Sequence, residues 1–281
     1  MTLTLLTRAD DLGSSHAANL AIARAAVTGS YIKNVSCMAV GPLIEEAAEL
    51  LRDCQQVCFG LHACLNSEWE PIRWGPISPP DEVPTLVTEE GFFYPTPADL
   101  AANLPDLDQV LREYDRQLDL LTGLGLDIRY VDSHMLPELF IPGLSAAMSG
   151  WARRKGLIDH LPYYRFPSKM EPAPQATLVE ALASQAAWLD SLQEGGYFAV
   201  MHPAIYSREM LLARNRQVPI GVVAANRDVE YRLLLSRQLE RYCDECGIRR
   251  VRYDEAEPQG TTFASLRALF GFISKEGRDE P

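Results

Sequence analysis

Short apolar runs alternate with amphipathic stretches along nearly the whole chain of 281 residues. The apolar runs have the length of buried strands, whereas the stretches between them carry apolar residues at helical spacing. Strands that alternate with helices in this way are normally parallel and joined by right-handed crossovers. The pattern therefore predicts an α/β protein. We expect one TIM-like (β/α) barrel of about seven strand–helix units that spans residues 1–281, because such barrels need about 250 residues.

The individual elements follow from the same periodicity. Helices are predicted to begin after cap residues or prolines, and strands are predicted where a short apolar run lies between two helices. The predicted strands cover residues 3–7, 34–40, 57–61, 128–133, 160–166, 197–201 and 249–253. The predicted helices cover residues 14–28, 42–52, 106–121, 143–155, 175–193, 228–246 and 263–272.

The alternation is interrupted once, between residues 67 and 105, where prolines recur and aromatic residues lie among them. A long irregular insertion in a compact domain is usually either functional or disordered. The aromatic residues favour the functional case, in which they stack on a ligand or close over the site. The alternative is that they only pin the segment to the barrel. These residues are Trp69, Trp74, Phe92, Phe93 and Tyr94.

Four of the predicted strands end at polar residues of the kinds that bind metals or move protons. Asp10 and Asp11 follow the first strand, and His62, His134 and His202 each follow a later apolar run. The carboxyl ends of parallel strands meet at one end of a barrel, which is where barrels place their active sites. Two adjacent carboxyl groups at the end of a buried strand are costly unless they are paired, protonated or metal-bound. We therefore expect an active site at these strand ends.

Asp11, His62 and His134 form a candidate set of ligands for one divalent metal ion. Two histidines and one carboxylate leave a coordination position open for water, as in catalytic zinc sites and non-haem iron sites. We expect Mg²⁺ or Zn²⁺, although manganese or iron would also suit these ligands. Asp10 would then accept a proton from the attacking water, because a nearby cation keeps a carboxyl group ionised. The alternative for either aspartate is that it caps the following helix.

Three further residues have predicted roles around this set. His202, which precedes Pro203, is a candidate general acid for a leaving group, and a buried histidine bonded to a carbonyl oxygen is the alternative. Asp132 lies two residues before His134, on the same side of the strand, and could orient an imidazole ring. Arg165 could orient a carboxylate or hold a substrate oxygen, or it could form only a surface salt bridge.

Composition and charge exclude several classes of protein. The formal net charge of −12 argues against a nucleic-acid partner and against an anionic membrane surface. No apolar run has the roughly 18 to 20 residues of a membrane-spanning helix. The N-terminus lacks the features of a signal peptide, so we expect a cytoplasmic protein.

Six cysteines in a chain of this length do not form a disulfide scaffold. His16 and His160 are interpreted as structural, and the sequence leaves a homodimer open.

Five short motifs contain the residues named above. In chain order they are Ala9-Asp10-Asp11-Leu12-Gly13, Gly60-Leu61-His62, Asp132-Ser133-His134, Arg165-Phe166-Pro167 and Met201-His202-Pro203-Ala204. Together they resemble the motifs of the YdjC-like carbohydrate deacetylases, the family of the chitooligosaccharide deacetylases. A late segment with Arg227 and Glu230 is also similar to the start of a helix in the family. The combination is far more specific than any one motif, and the resemblance extends from residue 10 to about residue 253.

The resemblance implies a barrel-type fold and hydrolysis of the acetamide of an N-acetylated amino sugar or short oligosaccharide. It places one divalent metal on Asp11, His62 and His134, and it places catalysis on Asp10 and His202. Both assignments coincide with the interpretation of the strand ends above. Two alternatives stay open, namely a metal-dependent hydrolase of non-sugar amides and a sugar-binding protein without catalytic activity.

The chain departs from the family pattern next to the histidines. Family members often carry further histidines after the Asp-Ser-His motif, whereas residues 135–138 read Met-Leu-Pro-Glu here. Asn66 lies later than in the family pattern, and Met201 and Ala204 replace smaller residues around the last His-Pro pair. These changes leave the predicted metal ligands intact but bear on contacts with the substrate.

Overall fold

The computed structural model describes residues 3–28, 31–163 and 176–263, together with residues 265 and 267. Within these residues, seven strands form one sheet in which every pairing is parallel, and eight α-helices lie between or after them. The strands are β1 (Leu3–Leu12), β2 (Asn34–Cys37), β3 (Cys58–Ala63), β4 (Ile128–Ser133), β5 (Ile158–Asp159), β6 (Gly195–Met201) and β7 (Arg249–Val251). The helices are α1 (His16–Thr28), α2 (Ile44–Leu51), α3 (Pro97–Ala102), α4 (Leu107–Gly123), α5 (Leu144–Lys155), α6 (Leu178–Asp190), α7 (Val222–Ser236) and α8 (Gln238–Glu245).

The parallel sheet confirms the predicted α/β class. Its strands run in the order β5-β4-β3-β2-β1-β6, and β7 pairs with β1. Residues 5–12 of β1 are all buried, as expected for a parallel sheet that is covered on both faces. This order, with each helix connecting parallel strands, is consistent with a barrel-like fold.

β1 is the strand around which the sheet is assembled. β6 covers one edge of β1, while β7 and β2 share the other edge, β7 beside its first half and β2 beside its second half. The buried side chain of Asn34 closes the junction between β7 and β2. Its Nδ2 donates to the carbonyl oxygens of Thr7 (2.9 Å) and Val251 (3.1 Å), and its Oδ1 accepts from the backbone N–H of Tyr253 (2.8 Å). This contact fixes three strands relative to one another beneath the carboxyl end of β1.

Side-chain caps fix the starts of several helices near the predicted positions. The Oγ of Ser15 accepts from the backbone N–H of Ala18 at the start of α1, and Asp106 caps α4. Thr177 and Glu180 form a reciprocal capping box at the start of α6. None of the described helices is long and apolar enough to cross a bilayer.

The segment between residues 67 and 105 packs into the core of the domain. Phe93, Leu86 and Leu100 are fully buried, and Trp74 is nearly so. The segment is also joined to the end of β3 by a bridge between Asn66 and Tyr94. For Phe93 and Trp74, this burial supports the interpretation that the aromatic residues anchor the segment.

The structure corrects the predicted helix over residues 228–246. It begins earlier, at residue 222, and it is interrupted at Arg237, which has a left-handed φ of 54°. Leu234 and Leu239 are both buried. In one continuous helix two residues that are five apart would point about 140° from each other, so both could not face the same core. The break between α7 and α8 allows both leucines to pack inward.

The structure also corrects the predicted strand over residues 160–166. β5 is limited to two residues that precede His160, and residues 161–163 form a 3₁₀ turn instead. Pro162 within that turn has no N–H with which to continue a ladder of hydrogen bonds. Residues 164–166 and most of the predicted helix over residues 263–272 lie outside the described residues.

Truncation of Phe93 tests whether the 67–105 segment is part of the core. We expect Phe93→Ala to lower the free energy of unfolding by about 3–5 kcal/mol, because a fully buried aromatic ring leaves a cavity. Phe92→Ala is the matched control, since the neighbouring ring is only partly buried and stacks under the guanidinium of Arg73. Urea denaturation of both variants would measure the difference in the free energy of unfolding. If Phe93→Ala lowers it no more than Phe92→Ala does, the segment is not part of the core.

Candidate metal centre

A distortion of β1 brings two neighbouring carboxyl groups, those of Asp10 and Asp11, to one place. Adjacent residues of a regular strand point to opposite faces. Here the pairing of β1 with β2 shifts its register between Ala9 and Leu12. Asp11 has a left-handed φ of 65°, a conformation that aspartate adopts more readily than most residues. As a result, both carboxyl groups lie close to His62.

The two histidines come from the ends of neighbouring strands. His62 in β3 is paired in the ladder with Asp132 in β4. His134 follows β4, and its backbone N–H donates to the carbonyl oxygen of Ala63 at 3.0 Å. Because neighbouring parallel strands end at the same edge of the sheet, the two imidazole rings meet there. The Nε2 of His62 lies 3.1 Å from the Nδ1 of His134.

Asp11, His62 and His134 bring one ligand atom each to a common point, and we refer to them as the ligand triad. The Oδ1 of Asp11 lies 3.4 Å from the Nε2 of His62 and 3.5 Å from the Nδ1 of His134. All three residues are buried. Ligand atoms about 2.0–2.2 Å from a tetrahedral ion lie roughly 3.3–3.6 Å apart, so the triad has the dimensions of a metal site.

The Oδ1 of Asp11 is also a buried oxygen without a hydrogen-bond partner among the described residues. A buried carboxylate oxygen in this condition is costly unless a hydrogen on one of the two facing ring nitrogens or a metal ion satisfies it. The donor set of two imidazole nitrogens and one carboxylate oxygen suits a divalent transition metal. The residues of the triad therefore fit the predicted ion.

The electrostatic surroundings of the triad favour positive charge. Burial alone would lower the pKa of His62, but Asp132 and Asp10 outweigh it and raise the pKa to about 10. Burial is likewise outweighed at His134, where Glu68 holds the pKa of the ring well above its usual value. The carboxylates around the two rings thus favour positive charge at this place. The same field would stabilise a divalent ion between them.

Arg8 is buried beside the triad and binds two of the carboxyl groups. Its Nε and Nη2 donate to the two oxygens of Asp10 at 2.5 and 2.6 Å. Its Nη2 also lies 2.6 Å from the Oδ2 of Asp132. Burial would raise the pKa of Asp132, but Arg8 and His62 outweigh it and lower that pKa. Arg8 thus holds the Asp10 carboxylate in a fixed orientation.

A second group of potential ligands shares His62 with the triad. One ligand atom each from Asp10, His62 and Asp132 lies within 4.8 Å of the others. The guanidinium of Arg8 already binds both carboxylates of this group, however, and a metal ion there would have to compete with it. The triad contains a carboxylate oxygen that is not engaged in this way, and it is the better metal site.

Each histidine of the triad contacts a carboxylate with its other ring nitrogen. The Nδ1 of His62 lies 3.2 Å from the Oδ2 of Asp132. The Nε2 of His134 lies 3.1 Å from the Oε2 of Glu68. Ionised carboxylates only accept hydrogen bonds, so in each pair the ring nitrogen carries the hydrogen and the opposite nitrogen is free to bind a metal. Asp132 contacts the imidazole of His62, which lies on the neighbouring strand, and that it orients this ring stays a prediction.

The triad borders a pocket that is largely apolar. Asp11 and His134 lie in its wall, and the Oδ2 of Asp11 accepts a hydrogen bond of 2.6 Å from Arg227 of α7. Burial would raise the pKa of Asp11, but Arg227 and the two histidines lower it well below its usual value. The 67–105 segment contributes three apolar residues to the pocket, which are Trp69, Ile72 and Trp74.

The two other predicted site residues, His202 and Arg165, are not among the contacts described above. His202 follows β6 directly, and its backbone N–H donates to the Oε2 of Glu230 at 2.5 Å. Since Met201 is paired with Ala9, His202 lies at the same edge of the sheet as Asp10. Arg165 lies outside the described residues.

Comparison with known proteins agrees with the motifs. The family model for YdjC-like protein matches residues 4–245. The chain belongs to the YdjC-like protein family. A carbohydrate deacetylase of Thermoanaerobacter pseudethanolicus (strain ATCC 33223 / 39E) is 24% identical to this YdjC-like chain over 270 residues, which cover 89% of the chain and 97% of the relative. This finding confirms the resemblance that the motifs indicate.

A solved structure shares the fold. The crystal structure of a candidate cellobiose-phosphate cleavage protein from Enterococcus faecalis V583 matches with a TM-score of 0.72 at 21% sequence identity. The match covers 90% of this YdjC-like chain and 98% of the other protein. At this level of identity the likeness shows a common fold.

Sequence reasoning missed three charged residues of the YdjC-like site. Arg8 lies between the apolar run at the start of the chain and the two aspartates, and a cation in a buried strand is a signal that a buried partner is needed. Arg227 lies in a segment that the family resemblance included, but without an assigned contact. Glu68 lies in the irregular segment, where no periodicity predicts which way a side chain points.

Loss of Arg8 should strongly destabilise the fold. We expect Arg8→Met to lower the free energy of unfolding by about 3–5 kcal/mol, because the carboxylates of Asp10 and Asp132 would remain buried without their counter-charge. Arg73→Met removes a surface pair with Glu90 and should cost about 0–1 kcal/mol. Chemical denaturation of both variants measures the difference. A cost of Arg8→Met within the range of the surface pair would contradict this assignment.

Proposed function

We propose that this YdjC-like protein is a metal-dependent hydrolase that removes the N-acetyl group from an amino sugar or short oligosaccharide. The observation that carries this proposal is the convergence of Asp11 Oδ1, His62 Nε2 and His134 Nδ1 at 3.1–3.5 Å beside an apolar pocket. It is supported by family membership and by the relative that is named as a carbohydrate deacetylase. The active site then lies at the carboxyl ends of β1, β3, β4 and β6 in a seven-stranded barrel.

The ligand triad would hold one divalent ion. When bound, such an ion supplies a Lewis acid for the acetyl oxygen and favours deprotonation of water near neutral pH. Two imidazole nitrogens favour Zn²⁺ over Mg²⁺, because magnesium prefers oxygen ligands. Arg227 keeps the second oxygen of Asp11 engaged, which leaves Oδ1 directed at the histidines.

Asp10 acts as the proton acceptor in this proposal. The attacking water gives a proton to Asp10 while the oxygen of the water bonds to the acetyl carbon. Arg8 binds both oxygens of Asp10 and keeps the carboxylate in place during that transfer. Exact placement matters here, because a misdirected base loses most of its effect.

His202 completes the reaction as the proton donor. The bond between the acetyl carbon and the nitrogen can break only when the nitrogen is protonated, since an amide anion is a very poor leaving group. His202 would supply that proton, and the products are acetate and the free amino sugar. Its backbone is anchored to Glu230, which fixes the position of the His-Pro turn at the edge next to Asp10.

We place the sugar at the pocket beside the triad. Trp69 and Trp74 provide flat apolar surfaces, and Arg227, which binds Asp11, provides a polar group in the wall. Binding sites for small molecules commonly combine apolar walls with a few directed polar groups. Of the two tryptophans, Trp69 is less buried than Trp74. We therefore assign Trp69 to contact with the sugar ring.

Metal binding should depend on the buried histidines and not on the exposed one. His62→Ala and His134→Ala should each weaken binding of Zn²⁺ or Co²⁺ by more than about 100-fold, because loss of a ligand exceeds the cost of losing its outer partner. His16→Ala is the matched control, since His16 pairs with Glu46 at the surface. Competition with a chelator measures the dissociation constants. Unchanged affinity in either buried variant would refute the triad.

Acetate release tests the reaction itself. With a panel of N-acetylated mono- and oligosaccharides and added Zn²⁺ or Mg²⁺, wild-type protein should release acetate. Asp10→Asn should reduce the rate by at least about 100-fold while metal stays bound, because only the proton acceptor is lost.

Three outcomes would change the proposal. Full activity of Asp10→Asn would refute the assignment of the base. Metal binding without acetate release from any sugar would favour a non-sugar amide as substrate. Tight sugar binding without release would favour a non-catalytic sugar-binding protein.

A further inference from the structure

Glu68 is an acidic residue that the segment after β3 holds close to the triad. Its side chain is only 9% exposed. The Nδ2 of Asn66 donates to its Oε2 at 3.2 Å, and the Nδ2 of Asn215 donates to its carbonyl oxygen at 3.1 Å. Side chain and backbone are therefore both fixed, the first from within the segment and the second from the loop after β6.

The carboxylate of Glu68 contacts the nitrogen of His134 that faces away from the triad. The distance from Oε2 to Nε2 is 3.1 Å, while the Nδ1 of the same ring lies 3.1 Å from His62 and 3.5 Å from Asp11. Glu68 can therefore act on a metal ion only through His134. A hydrogen bond from Nε2–H to Glu68 sets both the tautomer and the orientation of the ring.

Each of the two histidines contacts one carboxylate, but the two carboxylates belong to different parts of the fold. His62 is supported by Asp132, which belongs to β4 and is part of the sheet. His134 is supported by Glu68, which belongs to the irregular segment that also forms the apolar wall of the pocket. One of the two supports thus depends on how this segment is folded.

We propose that Glu68 is a positioning residue that holds His134 with Nδ1 directed at the point shared with Asp11 and His62. Through this contact, the segment that lines the substrate pocket also determines how tightly the metal is retained. The inference rests on the proposed function, because it requires that the triad binds a metal ion.

The test compares metal affinity in the full-length protein with Glu68 changed. Loss of an outer partner of a metal-binding histidine typically costs about 10–100-fold in affinity. We expect Glu68→Ala to raise the dissociation constant for Co²⁺ by that factor. Glu68→Gln keeps the volume and one acceptor oxygen, so its affinity should lie between those of wild type and Glu68→Ala. The visible absorption of bound Co²⁺ should also change in Glu68→Ala, because the orientation of a ligand has changed.

A control separates positioning from loop stability. Glu70→Ala removes another acid two residues along, which is exposed and pairs with Arg216 of the loop after β6. It should leave the Co²⁺ dissociation constant and spectrum unchanged. If Glu68 only pinned the segment, Glu68→Ala would lower the unfolding temperature of the metal-free protein without weakening Co²⁺ binding.

The outcomes distinguish this inference from the proposed function. If the wild type binds Co²⁺ and both Glu68→Ala and Glu68→Gln bind it with the same affinity, the role proposed for Glu68 is wrong. The proposed metal-dependent function would not be affected by that result. Failure of the wild type to bind Co²⁺ would overturn the metal-dependent function, and the role of Glu68 with it. Should Glu68→Ala fail to fold, the weaker binding expected for Glu68→Gln decides the question.

Discussion

Compensation of buried negative charge is the constraint on which this site depends. Four carboxyl groups lie together at the carboxyl ends of the central strands, those of Asp10, Asp11, Glu68 and Asp132. They face two guanidinium groups and two imidazole rings, those of Arg8, Arg227, His62 and His134. With both rings neutral, four negative charges meet two positive ones. This excess of negative charge is costly in a buried place, so a ring or a carboxyl group takes up a proton, or a divalent cation balances the charge.

The geometry of β1 decides where that balancing charge lies. A regular strand would direct Asp10 and Asp11 to opposite faces, and only one of them would reach the site. The shift in register against β2 and the left-handed backbone of Asp11 bring both carboxylates to His62. Arg8 then binds the carboxylate of Asp10, and Arg227 binds one of the two oxygens of Asp11. What is left is a single oxygen, Asp11 Oδ1, opposite two imidazole nitrogens.

The positions of the ligands could be predicted from sequence because they depend on a local pattern. A polar residue at the end of an apolar run lies at the strand end in any parallel sheet, so His62, His134 and the aspartates could be placed together before their contacts were known. Residues that act from outside the strands follow no such pattern. Glu68 reaches His134 from an irregular segment, and Arg227 reaches Asp11 from a helix 216 residues later in the chain. The break at Arg237 was missed for a related reason, since only the packing of the core shows that two leucines must both face inward.

Arg8 also bears on the number of metal ions. Two-metal hydrolases such as phosphoesterases need a second group of ligands a few ångströms from the first. Asp10, His62 and Asp132 form such a group among the described residues, but the guanidinium of Arg8 already lies 2.5–2.6 Å from both carboxylates. A fixed internal cation there supplies part of the positive charge that a second metal would bring, without offering a coordination position to substrate. The arrangement is therefore compatible with the proposed site, which has one ion and a separate proton acceptor, and it leaves no open group of ligands among the described residues for a second ion next to His62.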